Sequence, residues 1–400
     1  MKRHIRRLAT VMLVAAALGT GTGLDAQDAT ETSALQDLLR YVPSEAALIE
    51  SGWATVRFVD YEALFESEGL SLFRALGDVD FLMNAVPLGS ILSRIAAGPE
   101  ALAYLFASAG HMKDVVGFEW LLDVNCSLEF GDPPGIGLLL GGSFDAVEIG
   151  AVLENRGFSL GEIEGVPVWH RFDDMAISVA ARDVADPFGG HLGAAARIAL
   201  LPDVLGNTRA WPLIEAMISA GQSTRPSLAD DRIYQVLAEA VSEPDGLLIQ
   251  ALFFSAIAPR VPGDADQSNR EPMDEADVLP LYLGTVLADR QEGDDQVHLI
   301  AFVCADEPTA LNAADVLIRR LEAFRLTCGS GDVLVERYGA AVRVRDVRQA
   351  EDGLGVAVVE ARYPVPAVRI DPKSGKYMTR GLLFRAWVQA ILYREFTPLW

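Results

Sequence analysis

The sequence predicts an α+β fold built as two related domains, each an antiparallel-rich sheet with helices packed on one face. Two observations predict it. Short apolar runs with strand character alternate with one-sided helical stripes along most of the chain. The order strand–helix–strand–strand also occurs twice, about 160 residues apart, with negligible residue identity between the copies. Half of the 400 residues are apolar, so a full core can be buried without covalent staples.

Met1–Arg7 is a basic start, Leu8–Gly19 a short apolar run, and small residues follow up to Ala26. That is the form of a secretory signal, and residues 1–26 are assigned to it. Its 12-residue apolar run is short of the roughly 20 residues that span a bilayer. Cleavage is the expected outcome, and an uncleaved anchor is the alternative. The remaining chain is then exported: periplasmic, extracellular or on the cell surface. Residues 27–40 form a polar lead-in, 41–243 the first α+β domain and 244–400 the second.

In the first domain, Ala46–Asp60 reads as a strand pair and 61–125 as helical. Gly137–Leu140 is a buried-strand run. Asp145 with Glu148 three residues on resembles a capping box, and Gly157 stops the helix that follows. Gly165–Phe172 and Met175–Ala180 read as a hairpin turning at Asp173-Asp174. Ala195–Leu200 adds a strand, and helices follow near Trp211–Ser219 and Asp230–Val241. In the second domain, Leu247–Phe254 and Leu281–Asp289 are strands flanking a polar, acidic loop at 259–277. Val297–Val303 is a strand, and Asp306 and Pro308 open a helix with a regular apolar stripe. Asp332–Tyr338, Ala341–Val347 and Gly355–Arg362 read as strands, and a C-terminal helix covers 381–396.

The net charge is −23, and removing residues 1–26, with four basic residues and one acid, takes it to −26. Such a chain repels phosphate backbones and anionic lipid, so nucleic acid is not an expected partner. The richest basic stretch, Arg337–Arg348, alternates with valines as the wet face of a strand does. Cys126, Cys304 and Cys328 are an odd count for an exported chain, and their pairing stays open. Cys304 and Cys328 flank one helix and are expected beyond each other's reach. Cys126 with either remains open.

His170 is the most tempting catalytic histidine, with Asp173 and Asp174 at the adjacent turn. The bland reading is a packed strand histidine. Asp264, Asp266, Ser268 and Glu275 take positions 1, 3, 5 and 12 of a calcium loop. Asn269 replaces the turn glycine and Pro272 interrupts, so a solvated acidic loop is the expected reading. Gly135, Gly137, Gly141 and Gly142 do not form a strand-to-helix phosphate turn. No G-x-S-x-G, S-x-x-K or H-E-x-x-H occurs. No cofactor is expected. The apolar C-terminal helix, with Leu382, Trp387, Tyr393 and Trp400, either packs on the second domain or makes peripheral membrane contact.

Tyr41-Val42-Pro43, the Pro133-Pro134…Gly141…Phe144-Asp145 turn and Ser227-Leu228-Ala229-Asp230 together resemble an uncharacterised family of exported bacterial α+β proteins. The resemblance spans 41–240. It implies export and a sheet-based fold, and it supplies no activity and no site residues. The expected function is therefore an exported non-catalytic protein that binds an envelope partner or a small ligand. An envelope hydrolase with an unrecognised site, or a protein held on a membrane by its C-terminal helix, are the alternatives.

Overall fold

The computed structural model describes residues 33–47, 55–75, 77, 91–92, 94–99, 102, 111–255, 278–325, 333–364, 380–392 and 397–399. The expected signal, the acidic loop with Asp264, Asp266, Ser268 and Glu275, Cys328, Tyr393 and Trp400 lie outside them.

In chain order the elements are α1 (Ala34–Leu39), β1 (Thr55–Asp60), α2 (Tyr61–Ser67), α3 (Ser71–Ala75), α4 (Met112–Val116), α5 (Trp120–Asp123), β2 (Val124–Asp132), β3 (Gly135–Gly142), α6 (Ala146–Asn155), β4 (Ser159–Ile163), β5 (Val166–Arg171), β6 (Ala196–Leu201), β7 (Val204–Thr208), α7 (Trp211–Gly221), α8 (Arg232–Val241) and β8 (Leu247–Ser255). They continue with β9 (Gly284–Glu292), β10 (Asp295–Cys304), α9 (Glu307–Ala323), α10 (Leu334–Tyr338), β11 (Ala341–Gln349), β12 (Gly355–Pro364) and α11 (Leu382–Leu392).

The twelve strands among the described residues form one antiparallel sheet in the order β11-β12-β10-β9-β8-β1-β2-β3-β7-β6-β5-β4. The α+β class and its antiparallel sheet are thus as expected. The strands do not divide into a sheet per half. β1 pairs antiparallel with β8 at the centre, Phe58 opposite Ala251, so the ladder runs unbroken across the 243/244 boundary. On each side of that seam a three-strand meander leads into a helix (α6 or α9). The chain then returns so that the last strand of the half lies beside the third strand of its meander.

Strand alternation sends apolar side chains to both faces, and both are covered by helices. On β10, Val297, Leu299, Ala301 and Val303 face one core, under α1, α7 and α8. Ile300, Phe302 and Cys304 face the other, under α9, α10 and α11. The first half repeats this: Leu139 of β3 joins the first core, and Leu138 and Leu140 pack under α2, α4 and α6. The expectation of helices on one face is corrected here. A central strand that is apolar at nearly every position needs cover on both sides.

Local chemistry explains the element ends. Asp145 caps α6 by accepting the Val147 and Glu148 N–H groups, and Gly157 follows it at φ +81°. Asp306 caps α9 through the Thr309 N–H. Three strand expectations are corrected. Of the strand pair expected over Ala46–Asp60, Ala46 and Ala47 lie in a 3-10 turn and β1 is the one strand among the described residues. The 165–172 strand pairs with β4, not with 175–180: Glu164 and Gly165, at φ 50° and 81°, supply the two left-handed residues of a tight hairpin. Residues 179–181 instead form a 3-10 turn. Residues 334–338 are a helical turn, ended by Gly339 at φ +65°, with Leu334 and Val335 buried. β2, β4 and β7 are strands that the sequence reading missed, and β2 begins within the 61–125 stretch read as helical.

Candidate binding groove

The groove lies on the second face at the seam between the two halves. Its floor is the seam strands. Thr55 and Arg57 of β1, Glu129 and Gly131 of β2, Ile136 of β3, and Leu252 and Phe254 of β8 line a cavity of about 320 Å³. Its walls are Ala96, Ala97 and, from α11, Val388 and Ile391. A second cavity of about 160 Å³ adjoins it and shares Glu129, Pro133 and Ile136. It continues to Phe188, Gly189, His191, Asn207 and Arg209. The Pro133-Pro134 peptide bond between the two compartments is cis.

The lining is apolar except for a few placed groups. Arg57 pairs with Glu129 at 3.3 Å and donates from Nε to Thr55 Oγ1 at 3.2 Å. The pair projects from adjacent strands because Arg57 and Glu129 are register partners.

A buried polar knot behind the groove sets its walls. Gln250 Oε1 accepts the Ala96 and Ala97 N–H groups at 2.8 and 3.0 Å. Gln250 Nε2 donates to the Arg94 carbonyl and to Asp289 Oδ2. Arg94 grips Asp289 with two bonds, Nε at 2.8 Å and Nη2 at 2.9 Å. Both side chains are fully buried, and the guanidinium holds the Asp289 carboxyl far below the usual carboxylate range against the burial that would raise it. The knot also fixes the start of α11. Gly381 N donates to Gln296 Oε1, and that oxygen also accepts the Tyr363 hydroxyl, each at 2.7 Å. Since Tyr363 donates there, the proton of its 2.7 Å bond with His298 must lie on His298 Nε2. His298 Nδ1 sits 3.3 Å from Asp289 Oδ1. Asp289, His298 and Tyr363 resemble a catalytic relay in order, but all three are buried, and burial pushes the tyrosine hydroxyl up. Their work is to hold 94–97 and α11 on the sheet.

His170 and Asp174 lie elsewhere. His170, on β5, rests its ring against Trp211 at 4.9 Å between centroids. Burial and the nearby Arg197 push its pKa down. Asp174 pairs with Arg197 at 2.7 Å and accepts the Trp211 N–H. Asp173 is exposed, and its carbonyl accepts the Ala176 N–H. His170 and Asp174 tie β5 and the connection after it to α7, and Asp173 closes a turn within that connection.

Cys126 and Cys304 are free and buried in cores on opposite faces of the sheet, so that pairing does not form. Burial pushes their thiols up to about 12 and about 11. No group of three metal-ligating side chains occurs among the described residues. On α11, Trp387 is buried with Leu383 and Phe384 in the second-half core, and Leu382 is partly exposed. No helix among the described residues is long and apolar enough to cross a membrane. The arginines of β11 are matched by acids: Arg345 meets Glu243, Glu292 and Glu360, and Arg348 meets Asp346.

The groove residues were not singled out by the sequence. Gln250, Asp289 and His298 did leave a signal, as polar residues inside otherwise apolar strand runs. Arg57, Glu129 and Arg209 left none, because a polar residue alternating with apolar ones reads as an ordinary wet strand face.

No family model matches the chain, and no curated protein matches it. Among solved structures, crystal form I of TP0453 is similar over 89% of this chain and 98% of that chain, at 9% identity and a TM-score of 0.35. A likeness of that degree carries no argument about function.

Proposed function

We propose that this chain is an exported, non-catalytic binding protein of the cell envelope, and that its ligand occupies the groove at the sheet seam. The observation that carries the reading is the cavity of about 320 Å³, apolar in most of its lining and bearing one ion pair and Asp132. Concave, largely apolar sites with few placed polar groups are what small ligands use. The preformed walls support it too, because the buried knot orders 94–97 and α11 before any ligand arrives. Export rests on the basic and apolar segments of residues 1–26. The non-catalytic reading rests on His170, whose ring packs on Trp211, and Asp174, whose carboxylate is engaged by Arg197.

The test is native mass spectrometry of the full chain purified from its own host, beside Ile136→Trp. Ile136 is half-buried and lines both compartments, so the indole fills the groove. A small molecule carried by the wild type and lost from the variant is expected. A wild type that carries nothing, or carries the same mass as the variant, overturns the reading. Amino-terminal sequencing of the same sample checks export: a start near residue 27 is expected, and an intact Met1 in the cytosolic fraction speaks against it.

A further inference from the structure

We infer that the groove takes an apolar monocarboxylate, with its body in the larger compartment and its carboxylate on Arg209 in the smaller one. This rests on the groove being the ligand site, and adds the ligand's chemical class.

The chain has 56 acids against 33 lysines and arginines, so a lasting unpaired cation is unexpected. Buried or half-buried arginines elsewhere are engaged: Arg57 with Glu129, Arg94 with Asp289, Arg171 with Asp186, Arg197 with Asp174. Arg209 is half-buried in the wall of the smaller compartment, and its side chain has no hydrogen bond or ion pair among the described residues. The guanidinium lies against the backbone of Gly189, where a Cβ would stand in ordinary contact, 3.5 Å from Arg209 Nη2 and 3.6 Å from Nε. A guanidinium in a cavity wall, with no hydrogen bond or ion pair among the described residues, matches a carboxylate in shape and charge. Asn207 and His191 line the same compartment.

The charge count selects the anion. On the lining of the smaller compartment Glu129 is offset by Arg57, and Arg209 is the cation without an ion pair; Asp132 lies on the lining of the larger compartment and adds a negative charge that disfavours a dianion further. One charge suits a monoanion, and a dianionic phosphate would leave a negative charge in a half-buried site. The larger compartment selects the body. Ala97, Phe130, Ile136, Leu252, Phe254 and Val388 offer apolar surface without unsatisfied donors.

The experiment is calorimetric titration of the full-length chain with 4-butylbenzoate and with its uncharged counterpart, 4-butylbenzyl alcohol. Each is run against wild type, Arg209→Gln, Arg209→Lys and Ile136→Trp, with near-ultraviolet circular dichroism checking each fold. The acid is expected to bind wild type about tenfold tighter than the alcohol, the size of one charge-assisted hydrogen-bonded contact. Arg209→Gln should erase that difference and leave the alcohol unchanged, and Arg209→Lys should keep part of it. Ile136→Trp should weaken both compounds. Equal binding of acid and alcohol to wild type, or an unchanged preference in Arg209→Gln, overturns the carboxylate assignment while the groove stands. Undiminished binding of both compounds to Ile136→Trp overturns the groove itself. Failure of both compounds to bind wild type overturns the ligand class.

Discussion

Two polar regions lie within one face of the sheet and do opposite things. In the knot of Arg94, Gln250, Asp289, His298 and Tyr363, the charged groups are buried and matched at hydrogen-bond distance. In the groove, Arg57 and Glu129 meet at 3.3 Å beside an open cavity, and the Arg209 side chain has no hydrogen bond or ion pair among the described residues. The comparison teaches where to look for function. A buried charge whose partners are all supplied internally positions the chain, whereas a half-buried charge left open to a cavity is available to a ligand.

The largest effect should come from breaking the knot. Asp289→Ala leaves Arg94 as a buried, unpaired cation, and we expect a loss of about 3–5 kcal/mol by urea unfolding. A loss below about 1 kcal/mol would mean that the knot is solvated and the contrast with the groove is wrong. The carboxylate's depressed pKa gives the pH sign. Its stabilisation is full above the unfolded carboxylate value near 4 and is lost as pH falls below it.

Gln250→Ala should come next, at about 1–3 kcal/mol, because it strands the Ala96 and Ala97 N–H groups. It also frees a groove wall, so proteolysis near residues 94–97 should quicken. Unchanged proteolysis would separate the knot from the groove.

Asp60 sharpens the comparison from the other side, as a carboxyl that burial raises with no strong cation to offset it. It caps α2 through the Ala63 N–H, and burial pushes it up to about 6. A raised carboxyl favours the folded state below the unfolded value near 4, and that advantage disappears as pH rises to about 6. Asp60→Asn should therefore flatten the stability slope between about pH 4 and 6 and gain about 1–2 kcal/mol at pH 7. Parallel wild-type and variant curves across that window would contradict it. The smallest effect belongs to Arg57→Gln, expected within about 1 kcal/mol, because the pair it breaks is partly solvated. A large loss there would make the pair part of the scaffold.

Much of the fold was legible where local chemistry decides. The β3–α6 unit could be read from an apolar run, the Asp145 cap and the Gly157 stop, all within a few residues. The stripe of α9 was as clear, because a one-sided helix writes its period into the sequence. Residues 334–338 were misread because five residues with two buried apolar side chains fit a strand or one helical turn equally well. The hairpin was misplaced because Asp173-Asp174 looks like a turn, whereas Asp174 serves Arg197 and the Trp211 N–H across the structure.

The candidate site was the least legible part. Asp289 and His298 lie on neighbouring strands opposite each other, but Arg94, which completes the pair, lies 195 positions from Asp289. Ala97 and Val388 meet across the seam for the same reason. By itself the sequence determined the acidity, the α+β class and the elements with a cap, a stop or a regular stripe, such as α6 and α9. Each of these depends on composition or on neighbours within a helical turn. Tertiary structure alone decided that twelve strands share one sheet, that helices cover both faces, and that a groove opens at the β1–β8 seam. Strand pairing between distant segments is chosen by the complementarity of whole faces, and no single stretch of sequence carries that information.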